Sequence, residues 1–167
     1  MPTLVQAGPL LAGIRLLCCD VDGVLTDGGL YYDKDGYAMA RFHVLDGMGL
    51  KRLQQAGVRT CFVSQSQSPA IAARARALGI DRCLLGVDDK RNVVADLATE
   101  FGFTLAEVCH IADDVNDLSL LRVVGVPVTV PGGVSEVQGV CQFVTRAEGG
   151  FGAVRELCEA IIASRAA

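Results

Sequence analysis

The sequence predicts an α/β fold with a doubly wound, mainly parallel β-sheet. Short apolar runs alternate with helical segments along the chain, and this alternation is typical of strand–helix–strand units in a parallel sheet. The first run, residues 14–19, ends in four apolar residues without charge, as expected of a strand that is buried on both faces. It stops abruptly at Asp20 and Asp22. Because open α/β sheets bind ligands at the carboxyl ends of their strands, these carboxylates mark a candidate site.

Residues 30–43 predict a β-hairpin. The segment Asp33-Lys34-Asp35-Gly36 separates two short β-type stretches, residues 30–32 and 38–43. Asp-Gly between such stretches is a strong hairpin signal. Since it directly follows the Asp20 loop, the hairpin would stand over the mouth of the sheet. Its apolar side chains would then need cover, which another subunit could supply.

The remaining elements follow from apolar spacing and from capping residues. Helices are expected from an N-cap at Asp46 to a stop at Gly57, and then over Pro69–Leu78, Asp89–Phe101, Leu118–Val123 and Phe151–Ser164. Strands are expected over residues 58–63, 83–85, 108–112, 126–130 and 143–144. We therefore expect a single domain over residues 1–167, with a hairpin flap at about 29–44.

Composition excludes several classes of function. The net charge of −4 argues against a nucleic-acid-binding protein, which needs a basic patch. No stretch is long and apolar enough to span a bilayer, and residues 1–13 lack the basic start of a signal peptide. The seven cysteines form no C-x-x-C pair and fit small buried hydrophobes in a reducing compartment. We expect a cytoplasmic protein with no membrane or nucleic-acid partner.

Reactive polar side chains follow several of the predicted strands. Asp20 and Asp22 follow the first, Ser64 the second and Asp113 the fourth, while Lys90 opens the helix after the third. In a parallel sheet these ends share one edge, so the side chains can converge. Asp20 and Asp22 would point the same way and repel each other, which a hard cation such as Mg2+ resolves.

These residue types suit phosphoryl transfer. One carboxylate can act as nucleophile and form an aspartyl-phosphate, and a second can protonate the leaving alkoxide and then activate water. Mg2+, a lysine and a hydroxyl would neutralise the phosphoryl oxygens. Other interpretations stay open: an Asp-x-Asp-Gly run also fits a polar turn, Asp114 and Asp117 also fit helix caps, and His110 also fits a core residue.

The pattern resembles the haloacid dehalogenase-like phosphatases. Their four motifs match, in order, Asp20-Val21-Asp22-Gly23-Val24-Leu25-Thr26, Ser64, Lys90 and Asp113-Asp114-Val115-Asn116-Asp117. From about Ile14 to Ile162 the chain is more similar still to a capless branch, the 3-deoxy-D-manno-octulosonate 8-phosphate phosphatases. Residues 42–49 and 149–156 carry that likeness. The resemblance implies a Rossmann-like sheet with a hairpin flap and no large cap domain.

The resemblance also implies residue roles. Asp20 would be the nucleophile and a Mg2+ ligand, Asp22 the general acid/base and a ligand through its carbonyl, and Asp113 the third ligand. Ser64 and Lys90 would hold the phosphoryl group. Residues near the sugar acid would be Asp46, Gly47, Lys51 and Arg74. The family implies a homotetramer in which neighbouring subunits roof each site, and a tail at residues 149–150 that approaches a neighbour's site.

The chain departs from the family pattern at the second motif. Ser64-Gln65-Ser66 replaces the usual Ser/Thr-Gly-Arg, and Leu45 stands where an arginine is common. Each lost cation removes a charge-assisted bond of roughly 1.5–3 kcal/mol to an anionic substrate. The octulosonate 8-phosphate is the first substrate hypothesis, and a nine-carbon sialic-acid-type 9-phosphate is the second. A non-catalytic phosphatase-like binding or oligomerisation module is the alternative of another class.

Overall fold

The computed structural model describes residues 8–165. The strands are β1 (Leu16–Cys19), β2 (Tyr31–Asp33), β3 (Gly36–Met39), β4 (Arg59–Val63), β5 (Arg82–Leu84), β6 (Val108–Ala112), β7 (Val126–Thr129) and β8 (Phe143–Val144). The helices are α1 (Gly8–Ala12), α2 (Val44–Gln55), α3 (Pro69–Leu78), α4 (Lys90–Glu100), α5 (Leu118–Leu121), α6 (Ser135–Gln138) and α7 (Ala153–Arg165).

Six strands form one parallel sheet in the order β5-β4-β1-β6-β7-β8. The central strand β1 is buried along its whole length, and Leu17 is in register with Thr60 on one side and Cys109 on the other. The chain winds outward from β1 to β5 and then returns to β6 at the other side of β1. This confirms the doubly wound α/β prediction, and it puts the topological switch point, where such sheets bind ligands, beside β1.

Helices cover both faces of the sheet, because alternate strand residues point to opposite sides. Leu17 and Cys19 belong to the core beneath α1, α2, α3 and α7, whereas Leu16 and Cys18 belong to the core beneath α4 and α5. The hydrophobic side chains therefore form two core layers, one on each face of the sheet. No large cap domain interrupts the described residues; only the β2–β3 hairpin is inserted after β1.

Helix boundaries mostly follow the capping signals. At the start of α3 the Ser68 side chain accepts a hydrogen bond from the peptide N–H of Ala70, and Gly79 ends the helix at φ +66°. Asp89 caps α4 by accepting from the N–H of Asn92 at 3.1 Å. The predicted limits of α3 are confirmed, and those of α4 differ by one residue at each end.

The predicted N-cap of α2 was wrong. The cap is His43, whose ring Nδ1 accepts a hydrogen bond from the N–H of Leu45 at 3.2 Å, and Asp46 lies inside the first turn of the helix. α7 begins at Ala153 and not at Phe151, and the short helices α1 and α6 were not predicted. In the hairpin the turn itself is Lys34-Asp35, so Asp33 and Gly36 belong to the strands.

Among residues 8–165 no helix is long and apolar enough to cross a membrane. Residues 1–7, which make up half of the segment for which no signal peptide was expected, lie outside the described residues. All seven cysteines are free thiols, and six of them are buried, in keeping with the predicted packing role.

Candidate active site

A cleft of about 910 Å3 opens at the carboxyl edge of the sheet. Its walls come from the loop after β1, the loop after β4, the loop after β6 and the start of the hairpin. The lining residues include Asp20, Asp22, Gly23, Ser64, Gln65, Ser66, Asp113, Asp114 and Asn116. The structure thus brings the carboxylates of Asp20, Asp22 and Asp113 together at the mouth of one cleft, at the switch point beside β1.

The loop after β1 has a fixed shape. The Val21 carbonyl accepts hydrogen bonds from the N–H groups of Leu25 at 2.9 Å and Thr26 at 3.0 Å. The Thr26 hydroxyl in turn accepts from the N–H groups of Gly23 and Gly28, each at 3.2 Å. Since these bonds close the loop from both ends, Asp20 and Asp22 are held by backbone geometry.

Gly23 gives room to Asp113. Gly23 has φ +80°, and a Cβ placed on it would lie 1.9 Å from Asp113 Oδ2. Any other side chain would therefore displace the Asp113 carboxylate as well as strain the backbone. The motif glycine is what lets the loops after β1 and β6 approach each other.

Lys90 lies beneath the cleft as a buried cation. Its side chain is 1% exposed, and its Nζ donates to Asp20 Oδ1 at 2.8 Å and to Asp117 Oδ2 at 2.7 Å. Burial lowers the pKa of Lys90, but the two carboxylates outweigh burial and raise it above its ordinary value. Lys90 is therefore an ammonium ion directed at Asp20, at the place expected for it.

The acidic residues repel one another. Burial, and then the charge of Asp117, raise the pKa of Asp20 to about 6, although Lys90 lowers it in part. Burial, and then the charges of Asp20 and Asp114, raise the pKa of Asp113 to about 7. The pKa of Asp22 is also raised, chiefly by burial. Carboxylates gathered in this way favour a cation among them.

The donor set fits Mg2+. Oxygen donors from Asp20 and Asp113 are the type that this hard cation prefers. Across residues 8–165, no group of three His, Cys, Asp or Glu side chains is arranged to hold a metal. The backbone carbonyl of Asp22 was expected to supply a third protein oxygen. The space left open at Gly23 lets the Asp113 carboxylate lie against the loop that carries Asp20.

The loop after β4 has a neutral, hydroxyl-rich wall. Ser64 is buried, and its Oγ accepts from the N–H of Ser66 at 3.1 Å. The Ser66 Oγ accepts from the N–H of Ser68 at 3.2 Å. Gln65 donates through Nε2 to Asp88 Oδ1 at 3.1 Å. The cleft accordingly has amide and hydroxyl groups at the second-motif loop, where the resemblance led us to expect an arginine in the family pattern.

The four residues expected near a sugar acid are not in this cleft. Asp46, Gly47 and Arg74 line a separate small pocket, where Arg74 Nη2 donates to the His43 carbonyl at 3.2 Å. Lys51 is exposed on α2 and lines neither pocket. Within one copy of the chain, these residues are therefore separated from Asp20.

The sequence left Asp117 open between a site residue and a helix cap, and it favoured a core position for His110. Asp117 is fully buried. Its Oδ2 accepts a hydrogen bond from Lys90 Nζ, and its Oδ1 lies 2.6 Å from His110 Nε2. Its side chain does not cap the following helix, so the helix-cap interpretation was wrong for Asp117. Asp114 does make a local cap bond, to the N–H of Val115 at 2.7 Å. No spacing signal could have paired Lys90 with Asp117.

The expected tail at residues 149–150 contacts the chain's own loop after β1. The Gly150 N–H donates to the Val24 carbonyl at 2.9 Å. A Cβ on Gly149 would lie 1.8 Å from the Gly23 carbonyl oxygen. The glycine pair therefore packs directly behind the loop that carries Asp20 and Asp22.

The fold and site are similar to known proteins. A family model described as haloacid dehalogenase-like hydrolase matches residues 85–154. A protein of Haemophilus influenzae named 3-deoxy-D-manno-octulosonate 8-phosphate phosphatase KdsC is 36% identical over 152 residues, which cover 91% of this chain and 84% of that protein. The protein of the same name from Yersinia pestis is 34% identical over 151 residues, which cover 90% of this chain and 81% of that protein.

Solved structures agree with these sequence matches. The Moraxella catarrhalis 3-deoxy-D-manno-octulosonate 8-phosphate phosphatase, in complex with magnesium ion, phosphate ion and KDO, matches at a TM-score of 0.93 and 34% identity, over 96% of this chain and 92% of that one. The cobalt-bound deoxy-D-mannose-octulosonate 8-phosphate phosphatase of Haemophilus influenzae matches at a TM-score of 0.90 and 35% identity, over 93% of this chain and 91% of that one. The similarity extends over nearly the whole described chain.

Proposed function

This chain belongs to the 3-deoxy-D-manno-octulosonate 8-phosphate phosphatase family of haloacid dehalogenase-like hydrolases, and from that premise we propose its substrate, cofactor and mechanism. It is a phosphoric monoester hydrolase that uses Mg2+ and acts on a sugar-acid phosphate, with the octulosonate 8-phosphate as the first candidate. The observation that carries the proposal is the contact at 2.8 Å between Lys90 Nζ and Asp20 Oδ1 at the base of an acidic cleft. A buried ammonium beside a loop carboxylate is suited to an incoming phosphoryl group.

Asp20 is the proposed nucleophile. Its carboxylate oxygen forms a bond to phosphorus while the bond from phosphorus to the sugar oxygen breaks, which gives an aspartyl-phosphate. Lys90 balances the charge on Asp20 and on the phosphoryl oxygens, and Ser64 offers a hydroxyl at the cleft wall. In the second step, water attacks the phosphoryl group and Asp20 leaves as a carboxylate.

Asp22 is the proposed general acid and base. Burial raises its pKa, which favours the protonated form that the first step needs. Asp22 gives this proton to the leaving sugar oxygen, and in the second step its carboxylate takes a proton from the attacking water. Both proton transfers then use one group, and Asp22 returns to its starting state.

Asp20, Asp113 and the carbonyl of Asp22 are the residues proposed to hold Mg2+. When bound, the ion supplies positive charge to the phosphoryl oxygens and to the gathered carboxylates. The raised pKa values of Asp20 and Asp113 are in accord with a site built to receive a cation.

The family indicates a sugar-acid phosphate as the substrate class. The loop after β4, which carries the second motif, bears on which sugar acid it is. The neutral Gln65 and Ser66 in the cleft wall are the observation that keeps a nine-carbon 9-phosphate as the second candidate. Lys51 and Arg74 are proposed to meet the sugar acid from a neighbouring subunit, since they lie outside the chain's own cleft. Asp46 and Gly47 are buried in α2 and would shape that contact only through packing.

We propose that four copies assemble and that the chain acts as one domain with a hairpin flap at about 29–44. The hairpin side chains of Leu30, Tyr32 and Met39 are 61%, 68% and 60% exposed. Nearby at the start of α2, Val44 is 77% exposed and Leu45 50%. Apolar surface of this kind is typical of subunit contacts. The free cysteines support a reducing compartment, which we propose to be the cytoplasm.

A panel of sugar-acid phosphates, read as kcat/KM with and without Mg2+, tests the proposal. We expect the octulosonate 8-phosphate to give the highest value and activity to need Mg2+. A higher value for a nine-carbon 9-phosphate would reassign the substrate. If neither the wild type nor Asp20→Asn hydrolysed any of the esters, the binding-module alternative would be favoured.

A further inference from the structure

A chain of buried charged and polar groups extends behind Lys90, away from the cleft. Asp117 accepts from Lys90 through Oδ2 at 2.7 Å, and its Oδ1 lies 2.6 Å from His110 Nε2. The other ring nitrogen of His110, Nδ1, lies 3.1 Å from the carbonyl oxygen of Cys18. His110 and Asp117 are both 0% exposed, so bulk solvent does not reach these contacts.

The two partners of the His110 ring are both acceptors. A backbone carbonyl oxygen has no proton to give, so Nδ1 must be the donor to Cys18. A neutral imidazole has only one N–H, which would leave Nε2 without a proton 2.6 Å from the carboxylate oxygen of Asp117. One further proton is therefore needed between the ring and Asp117.

The surrounding charges put this proton on the ring. Asp117 already accepts a charge-assisted bond from the Lys90 ammonium, which favours its ionised form. Although burial acts in the opposite direction, the bonds and charges of His110 and Lys90 lower the pKa of Asp117. With His110 positive, the four groups Asp20, Lys90, Asp117 and His110 carry no net charge, the arrangement that burial tolerates best.

We propose that His110 is a doubly protonated imidazolium that acts as a positioning residue for the Lys90 ammonium. The ring fixes Asp117 through Oδ1 and neutralises it, so that Asp117 holds Lys90 in place without drawing its charge away from Asp20. This role in the reaction rests on the proposed phosphatase function. The charge state itself does not, because it follows from contacts in the protein without substrate.

The consequence for Lys90 is electrostatic. Without the imidazolium, Lys90 would face two carboxylates at 2.7 and 2.8 Å, and only one of them is the nucleophile. An unbalanced Asp117 would compete with Asp20 and with the phosphoryl oxygens for the ammonium. The charged and titratable groups that face this network are Asp20 and Asp22 after β1, Lys90 on α4, Asp113 after β6, and Cys141 near Asp117.

Nitrogen-15 NMR of the histidine rings in the tag-free protein tests the charge state. The chain has two histidines, and the second, His43, whose Nδ1 accepts from the N–H of Leu45, is the internal reference. We expect two protonated nitrogens for His110, and His110→Gln to remove those signals. One unprotonated His110 nitrogen would overturn the proposal.

Kinetics of His110→Gln test the positioning role. Glutamine can still donate a hydrogen bond to Asp117 but carries no charge, so we expect kcat to fall by about 10- to 100-fold with KM changed less than about threefold. The matched control is Thr129→Val, which removes a buried hydroxyl without a hydrogen-bond partner from the adjacent strand.

The outcomes separate the proposals. Unchanged kcat in folded His110→Gln, or an equal fall in Thr129→Val, would overturn the positioning role. An inactive wild type would overturn the proposed function and the kinetic part of the inference with it. The NMR spectrum would still decide the charge state of His110 in that case.

Discussion

The carboxylate of Asp46 in α2 accepts a hydrogen bond from the peptide N–H of Arg155 in the first turn of α7 at 2.9 Å. Asp46 is 1% exposed, and its second oxygen, Oδ2, has no hydrogen-bond partner. Burial raises the pKa of Asp46, although the N–H groups at the start of α7 act to lower it. One helix therefore caps another across 109 residues of sequence.

Replacing Asp46 should destabilise the protein more than it affects the reaction. Asp46→Ala removes the cap of α7 and should lower the free energy of unfolding by about 1–2 kcal/mol. Asp46→Asn keeps one acceptor oxygen and should cost less. Urea unfolding of both variants measures this. A large rise in KM for the sugar acid with unchanged stability would contradict the capping role and support the substrate contact.

Gly23→Ala should abolish activity because the added Cβ would meet Asp113 Oδ2 at 1.9 Å. The matched control is Gly57→Ala, since Gly57 has φ +83° against +80° for Gly23 but nothing within 4 Å of its Cβ position. Both variants should lose about 1 kcal/mol of stability from backbone strain. Only Gly23→Ala should lose Mg2+ binding, measured by calorimetry. Normal turnover in Gly23→Ala would show that Asp113 is not required where it lies.

Asp20→Asn and Asp22→Asn should each lower kcat by about 1,000-fold or more, because one removes the nucleophile and the other the proton donor. Asp96→Asn, at an exposed aspartate of α4, is the control and should leave kcat unchanged. Circular dichroism and thermal melting check that the fold persists. Near-normal turnover in either site variant would remove that residue from its proposed role.

Lys51→Ala should raise KM for a sugar-acid phosphate by about tenfold or more and leave KM for p-nitrophenyl phosphate nearly unchanged. The reason is that only the sugar acid carries a carboxylate for the lysine to meet. Arg76→Ala, which removes an exposed cation from α3, serves as the comparison. If Lys51→Ala affected both substrates equally, the proposed contact from a neighbouring subunit would be wrong.

Mg2+ affinity should weaken as the pH falls below about 7. The metal-free pKa of Asp113 is about 7, above its ordinary 3.8. The folded chain therefore gains stability from proton binding at low pH and loses it as the pH rises through 7. Mg2+ must displace that proton, so each pH unit below 7 should cost up to about tenfold in affinity. Calorimetry at pH 6, 7 and 8 measures this, and an affinity independent of pH would contradict it.

The sheet and the convergence of its acidic loops could be predicted because both depend on local pattern. An uncharged strand such as β1 has to be buried, and the alternation of a strand places Asp20 and Asp22 on one side. The order of the motifs along the chain then brings the third acidic position, Asp113, to the same edge. The chemistry of the site follows from the residue types at that edge.

Long-range partners could not be predicted. Aspartate is favoured at helix N-caps, so Asp46 was assigned to its own helix, whereas its carboxylate caps α7 and a histidine caps α2. Likewise, the contacts of His110 with Asp117 and with the Cys18 carbonyl depend on how β6 lies beside β1. Neither pairing has a spacing signature, because it arises only when the sheet is assembled.

The packing of Gly149 and Gly150 against the loop after β1 has a consequence for biosynthesis. The loop that carries Asp20 emerges from the ribosome before the glycine pair that supports it, which follows only after β8 has been made. A nascent chain that stops before residue 149 would present its acidic residues on an unsupported loop. Catalytic competence would therefore be acquired only after residue 150 has been made, when the segment that follows β8 packs against the loop after β1.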